Sequence, residues 1–231
     1  MTGLAHLLVT LLLAGGPEKP PPPTPPQLKE HESAVPACPK EVATCIGVRL
    51  FVVVTNGKAV VTPEWVAGQL ERANALLGPV GLALQLHSVQ ALPPKFAHVR
   101  SRADRDQLGA KRWEKGYINV FVAGIVDDVD EKGQIYGVHW RWRENKSRRW
   151  IILSGEAWPM TLAHELGHFF GLAHNALIGS IMNKAGNDLT PIKERVFLEG
   201  ELETVKLGLA AKLKAKELLP QAPTLPPLPE P

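Results

Sequence analysis

His164 and His168 stand four residues apart in the run H-E-L-G-H-F-F-G-L-A-H that spans 164–174. On a helix that interval puts both imidazoles on one face, where they can reach a single metal ion, with Glu165 beside the first of them. Gly171 follows His168 by three residues. Glycine is the residue best able to take the left-handed conformation that stops a helix and turns the chain, so a third imidazole, His174, can come back to the same ion. Three neutral nitrogen ligands leave a tetrahedral zinc with one open position for water, the arrangement of a catalytic site rather than a closed structural one. Glu165 is then free to act as a base. Met182 follows His174 by eight residues in S-I-M-N, an interval at which a tight turn can slide a thioether beneath the imidazoles; alone it would be read as core filling.

Taken together, His164, Glu165, His168, Gly171, His174 and Met182 resemble the signature of the metzincin clan of zinc endopeptidases, over residues 46 to about 200. The resemblance implies an α+β fold: a twisted, mixed but mostly parallel sheet with an antiparallel edge strand, an active-site helix and C-terminal helices. It implies one catalytic Zn2+ and hydrolysis of peptide bonds with Glu165 as general base. Substrate backbone is then expected to pair with the edge strand above the cleft, which makes Val138, His139 and Trp140 substrate-facing candidates. The chain departs from the named subfamilies in two places. Asn175 follows the third histidine, where astacin-like, matrixin-like, adamalysin-like and serralysin-like members carry Glu, Ser, Asp or Pro. Lys184 stands two residues after the methionine, so a tyrosine partner at that position is not implied.

Two readings from other classes compete with a peptidase. In one, zinc only holds a binding module together, against which stands Glu165, a residue a structural site does not need. In the other, the zinc site hydrolyses a non-peptide amide such as a cell-wall cross-link.

The 231 residues, with proline-rich ends, hold one catalytic domain, expected at 46–219, and 45% hydrophobic residues support a globular middle. A formal charge of +3 is too small to argue for nucleic acid. Residues 1–16 carry an apolar run, Leu4 to Ala14, of the length of a secretory signal and too short to span a bilayer. The expected location is therefore extracellular or periplasmic, with no stable membrane span and a monomeric state. Residues 17–45 read as a proline-rich linker with a Cys pair. Cys38 and Cys45 form a short local disulfide in an exported protein, or Cys38 offers its thiolate to the open zinc position as a latency device. Residues 220–231 read as a proline-rich tail.

Within the middle, V-R-L-F-V-V-V-T over 48–55 reads as a strand buried on both faces. Thr62-Pro63-Glu64 starts a helix that Gly78-Pro79 ends, and a second strand follows over 82–89, so a parallel crossover is expected. Asn56-Gly57 is a competing hairpin signal, set aside because the helix start follows so closely. Further elements are expected as a short helix over 103–113, strands over 117–123, 134–143 and 149–153, and the metal helix opening at Trp158-Pro159. A last helix is expected from the Asn187–Pro191 start signal to about Leu219. The basic loop 141–149 could favour acidic substrates or serve as a solubilising hairpin tip. Asp127, Asp128, Asp130 and Glu131 crowd one loop; calcium needs several oxygens of this kind, but a solvated acidic turn is the expected state.

Overall fold

The computed structural model describes residues 26–33, 37–39 and 42–222; the expected signal peptide and most of the two proline-rich ends lie outside them. The continuous apolar run becomes the central strand β1 (Thr44–Thr55). Ile46, Val48, Leu50 and Val52 face one core, while Phe51 and Val53 face another, so side-chain alternation fills both sides. The other strands are β2 (Lys58–Ala59), β3 (Leu82–Leu92), β4 (His98–Val99), β5 (Ile118–Ala123), β6 (Ile125–Val126), β7 (Gly137–Arg141) and β8 (Arg149–Ser154). β3, β1, β5 and β8 lie side by side and parallel, and β7 closes the sheet antiparallel to β8. This is a mixed α/β fold with a mostly parallel central sheet and an antiparallel edge strand.

Among the described residues five α-helices accompany the sheet: α1 (Pro26–Ser33), α2 (Pro63–Leu77), α3 (Arg102–Ala110), α4 (Thr161–Phe170) and α5 (Glu199–Lys214). α2, α4 and α5 bury their apolar stripes in the larger core, and Leu108 of α3 packs in the smaller core on the opposite face. α2 starts as its sequence dictates: Thr62 Oγ1 accepts from the Trp65 N–H and Pro63 occupies the first turn, where it forfeits no helical bond. α4 has no cap of its own. The buried side chain of Gln69 on α2 supplies one, its Oε1 accepting from Leu162 N at 3.0 Å while its Nε2 donates to Trp158 O at 2.7 Å. The metal helix is thereby fixed at its entry by a neighbour distant in sequence.

Four expectations are corrected. Asn56-Gly57 does turn a hairpin, with both residues at positive φ (51° and 76°) and Val54 paired to Ala59 and Thr55 to Lys58. The hairpin spans two residues a side, which leaves room for the helix start behind it. Residues 26–33, within the stretch expected as a proline-rich linker, are helical: Leu28 and His31 are buried, and His31 Nε2 lies 3.1 Å from Val61 O. The signal at 187–191 starts no long helix. Asp188 instead accepts from Gly179 N and Thr190 N and pairs with Arg195, so the carboxylate folds a loop and α5 begins only at Glu199. That helix ends at Lys214, because Lys216 takes a positive φ of 54° and Leu219 N turns back to Gly116 O.

Cys38 and Cys45 form a disulfide. Cys38 is consumed by it and offers no thiolate to a metal, which removes the latency device considered for that residue. Residues 220–222, the start of the expected tail, lie along β1, with Gln221 N donating to Cys45 O at 2.8 Å. Among the described residues no helix is long and apolar enough to cross a membrane.

Candidate metal centre and cleft

α4 presents His164 and His168 on one face, and Gly171 ends it at φ 114°, its N–H capping the carbonyls of Gly167 and His168. The turned chain returns His174, whose Nε2 lies 3.1 Å from Nε2 of both His164 and His168. His164 Nδ1 donates to Ile181 O and His168 Nδ1 to Leu172 O, each at 2.8 Å. With the protons held at Nδ1, the Nε2 atoms of these two rings present lone pairs to His174 and to the shared space between them. One imidazole cannot donate to both, and three nitrogen donors facing one point are an arrangement that could hold a cation. It is the one group of three or more potential ligand residues found among the described residues. Burial also pushes the three imidazoles toward the neutral, ligating form: His164 falls to about 4, and His168 and His174 are lowered as well, desolvation being the first cause in each case.

Met182 is fully buried, and its Sδ lies against Gly167 of α4, where an added Cβ would come within 2.6 Å. Gly167 in the middle of the helix is thus what lets the thioether pack this close to α4. Its signal in the sequence was a glycine inside an otherwise good helix, a position where glycine costs stability. Ser180 Oγ accepts from Met182 N at 2.9 Å and donates to Glu201 at 2.6 Å, and Asn175 Nδ2 donates to the same Glu201 oxygen at 2.6 Å. The residue after the third histidine is therefore tied to the methionine turn through a buried carboxylate of α5 that sequence reading did not single out.

Glu165 is 4% exposed. Burial raises its carboxyl to about 8, opposed by a hydrogen bond from the His139 peptide N–H and by the charge of Arg105. Gly137 allows this approach, since a Cβ there would lie 3.0 Å from Glu165 Oε1 and 2.7 Å from Thr161 Cγ2. Pairing of Tyr136 with Ser154 and of Trp142 with Arg148 fixes the alternation along β7. Val138 and Trp140 turn their backbone groups to β8, and Gly137, His139 and Arg141 turn theirs outward to the cleft.

Of the three substrate-facing candidates, Val138 and His139 line the cleft. The His139 ring packs edge-on to Phe169, and Trp140 points its indole N–H at Asp106, 2.8 Å away on α3. The cleft of ≈ 770 Å3 holds the triad, Glu165, Arg105, Arg141 and Lys184. The acidic loop is spent on local bonds. Asp127 pairs with His98, Asp128 accepts from the N–H groups of Asp130 and Glu131, and Asp130 pairs with Arg102.

No protein-family model and no curated protein matches the sequence. Solved structures do match the fold. Metalloproteinase-II from Bacteroides fragilis aligns with a TM-score of 0.50 at 13% identity, over 75% of this chain and 55% of that one, so the chain spans little more than half of its length. Archaemetzincin (AmzA) from Methanopyrus kandleri aligns with a TM-score of 0.50 at 17% identity, over 74% of this chain and 98% of that one. The chain shares the fold of these metalloproteinases.

Proposed function

We propose that this chain is an exported, zinc-dependent endopeptidase. One observation carries the reading: three imidazole Nε2 atoms converge in the same open cleft as a buried carboxylate that lies against the edge strand. A donor set of three neutral imidazoles suits zinc, and the likeness to two metalloproteinases agrees with it. His164, His168 and His174 would hold the metal. Zinc in such a site supplies a Lewis acid for the scissile carbonyl and acidifies a water.

The chain's own groups do the rest. An extended peptide adds to the edge of the sheet through the outward backbone groups of Gly137 and Arg141 and the His139 carbonyl, which suits substrates of many sequences because backbone groups are common to all. Glu165, held at the level of His139 by the peptide N–H, removes the proton of the attacking water and returns it to the leaving amine. Met182 and Gly167 keep the floor below the histidines apolar and fix their height.

The test is elemental analysis of the purified chain together with casein cleavage in the presence and absence of a chelator. About one zinc per chain is expected, with chelator-sensitive cleavage. Glu165→Gln is expected to keep zinc and lose turnover by at least ~100-fold, and His168→Ala to lose both. Cleavage surviving Glu165→Gln would remove the glutamate from its role, and zinc without cleavage of any peptide would return the site to the binding-module or non-peptide readings.

A further inference from the structure

Five of the six tryptophans have a packing role. Trp65 donates to Ala157 O, Trp113 to Arg149 O and Trp140 to Asp106; Trp150 is fully buried and Trp142 lies against the Arg148 guanidinium. Trp158 has no such role. It is 48% exposed at the mouth of the cleft, and its ring meets the edge of Tyr136, itself 51% exposed, with centroids 6.4 Å apart and planes at 76°. The other tyrosine, Tyr117, packs on His87. Large aromatic surface left in water costs solvation free energy, and here it is concentrated where the cleft opens.

The pair is rigid in its backbone. Tyr136 O accepts from Ser154 N at 2.8 Å, and Trp158 O accepts from Gln69 Nε2 at 2.7 Å and Thr161 N at 2.9 Å. Met160 and Ile192 add apolar surface to the same cleft. A ring entering this corner therefore meets a preformed aromatic wall and orders little on binding.

The direction of the edge strand says which part of a substrate arrives there. A peptide added antiparallel to β7 runs from Arg141 toward Gly137, opposite to the strand. The Glu165 carboxylate lies against β7 at Gly137, so the residues preceding the scissile bond lie toward Arg141, and those following it lie toward Tyr136. We infer that Tyr136 and Trp158 form a specificity site for an aromatic side chain within the first two residues on the C-terminal side of the scissile bond. The inference rests on the peptidase reading and deepens it. Aromatic rings suit this corner because a third ring can stack on one face while meeting the edge of the other, an arrangement that favours aromatic partners over aliphatic ones of equal area. Carboxylates do not suit it, since the ring faces carry negative potential.

The experiment uses the full zinc-loaded chain and a peptide library of fixed N-terminal half, varied at the first two positions after the cut and read by mass spectrometry. Wild type is expected to favour Phe, Tyr or Trp over Ala at one of these positions by roughly five- to tenfold in kcat/KM. Trp158→Ala should abolish that preference chiefly by raising KM, while peptides with Ala at both positions change by less than about twofold; Trp158→Phe should restore most of it, and Tyr136→Ala should weaken it. Hydrolysis with an unchanged preference in Trp158→Ala overturns the aromatic site and leaves the peptidase standing. Failure of the zinc-loaded wild type to cut any member of the library overturns both.

Discussion

The carboxylate of Glu201 accepts a 2.6 Å hydrogen bond from Ser180 Oγ, which joins the first turn of α5 to the turn carrying Met182. The same oxygen receives Asn175 Nδ2, and the other oxygen receives Leu198 N at 2.7 Å. Three donors converge on one buried acid, so its removal takes the acceptor from the buried Ser180 hydroxyl and from the Leu198 N–H. Glu201→Ala is expected to cost roughly 2–3 kcal/mol in chemical denaturation and, because Asn175 adjoins the third ligand, to weaken zinc by at least ~tenfold in a competition titration. Zinc affinity equal to wild type in a folded Glu201→Ala protein would show that the network holds α5 alone.

Gly137 gives a second test, on the approach of the edge strand to the base. A Cβ at this position would meet Glu165 Oε1 at 3.0 Å and Thr161 Cγ2 at 2.7 Å. Either the strand or the carboxylate must move by a few tenths of an ångström, which misaligns the base without touching a ligand. Gly137→Ala is expected to keep its full complement of zinc and to lose about tenfold or more in kcat. Loss of zinc in parallel with activity would place the damage in the helix and not at the base.

Much of the centre could be read from spacing, because a helix makes four-residue intervals into a shared face and Gly171 alone announces the turn that recovers His174. The parallel sheet was legible for a similar reason: strands such as β1, β5 and β8, buried on both faces, need continuous apolar runs. What remained hidden depends on contacts between distant segments. Gln69 caps α4 from another helix, Glu201 satisfies Asn175 and Ser180 from a third, and Gly137 and Gly167 matter only because Glu165 and Met182 press against them. Apart from the mid-helix glycine at 167, none of these leaves a local pattern. α1 was masked differently, by a proline-rich surrounding in which two buried residues three positions apart carry the docking.

The disulfide closes a short loop at the start of β1, with a sequence separation of seven. Loop-closure entropy for so short a ring amounts to about 2.5 kcal/mol. Cys38→Ser, or a reductant, is therefore expected to lower the denaturation midpoint by a corresponding amount without raising activity. Activation on reduction would bring back a latent thiol, which the pairing of Cys38 argues against.

In the metal-free chain, burial holds the Glu165 carboxyl at about 8, far above its usual range. The unfolded chain releases this proton near pH 4.5 and the folded chain keeps it to about pH 8, so stability from this group is fully present at low pH and falls as pH rises between the two values. His164 works in the opposite sense, because its pKa is lowered to about 4 on folding, and its effect is complete above pH 6.5. The interval from pH 6.5 to 8 therefore isolates the glutamate. Over it the chelated wild type is expected to lose roughly 2 kcal/mol, at about 1.4 kcal/mol per pH unit, while Glu165→Gln should lose little. Urea denaturation at the two pH values with chelator present measures the difference, and equal slopes for the two proteins would mean that Glu165 ionises in the folded chain as freely as in water. Zinc should reverse the trend, since a dication beside the carboxylate favours its charged form, and the zinc-loaded wild type is then expected to hold its stability to pH 8.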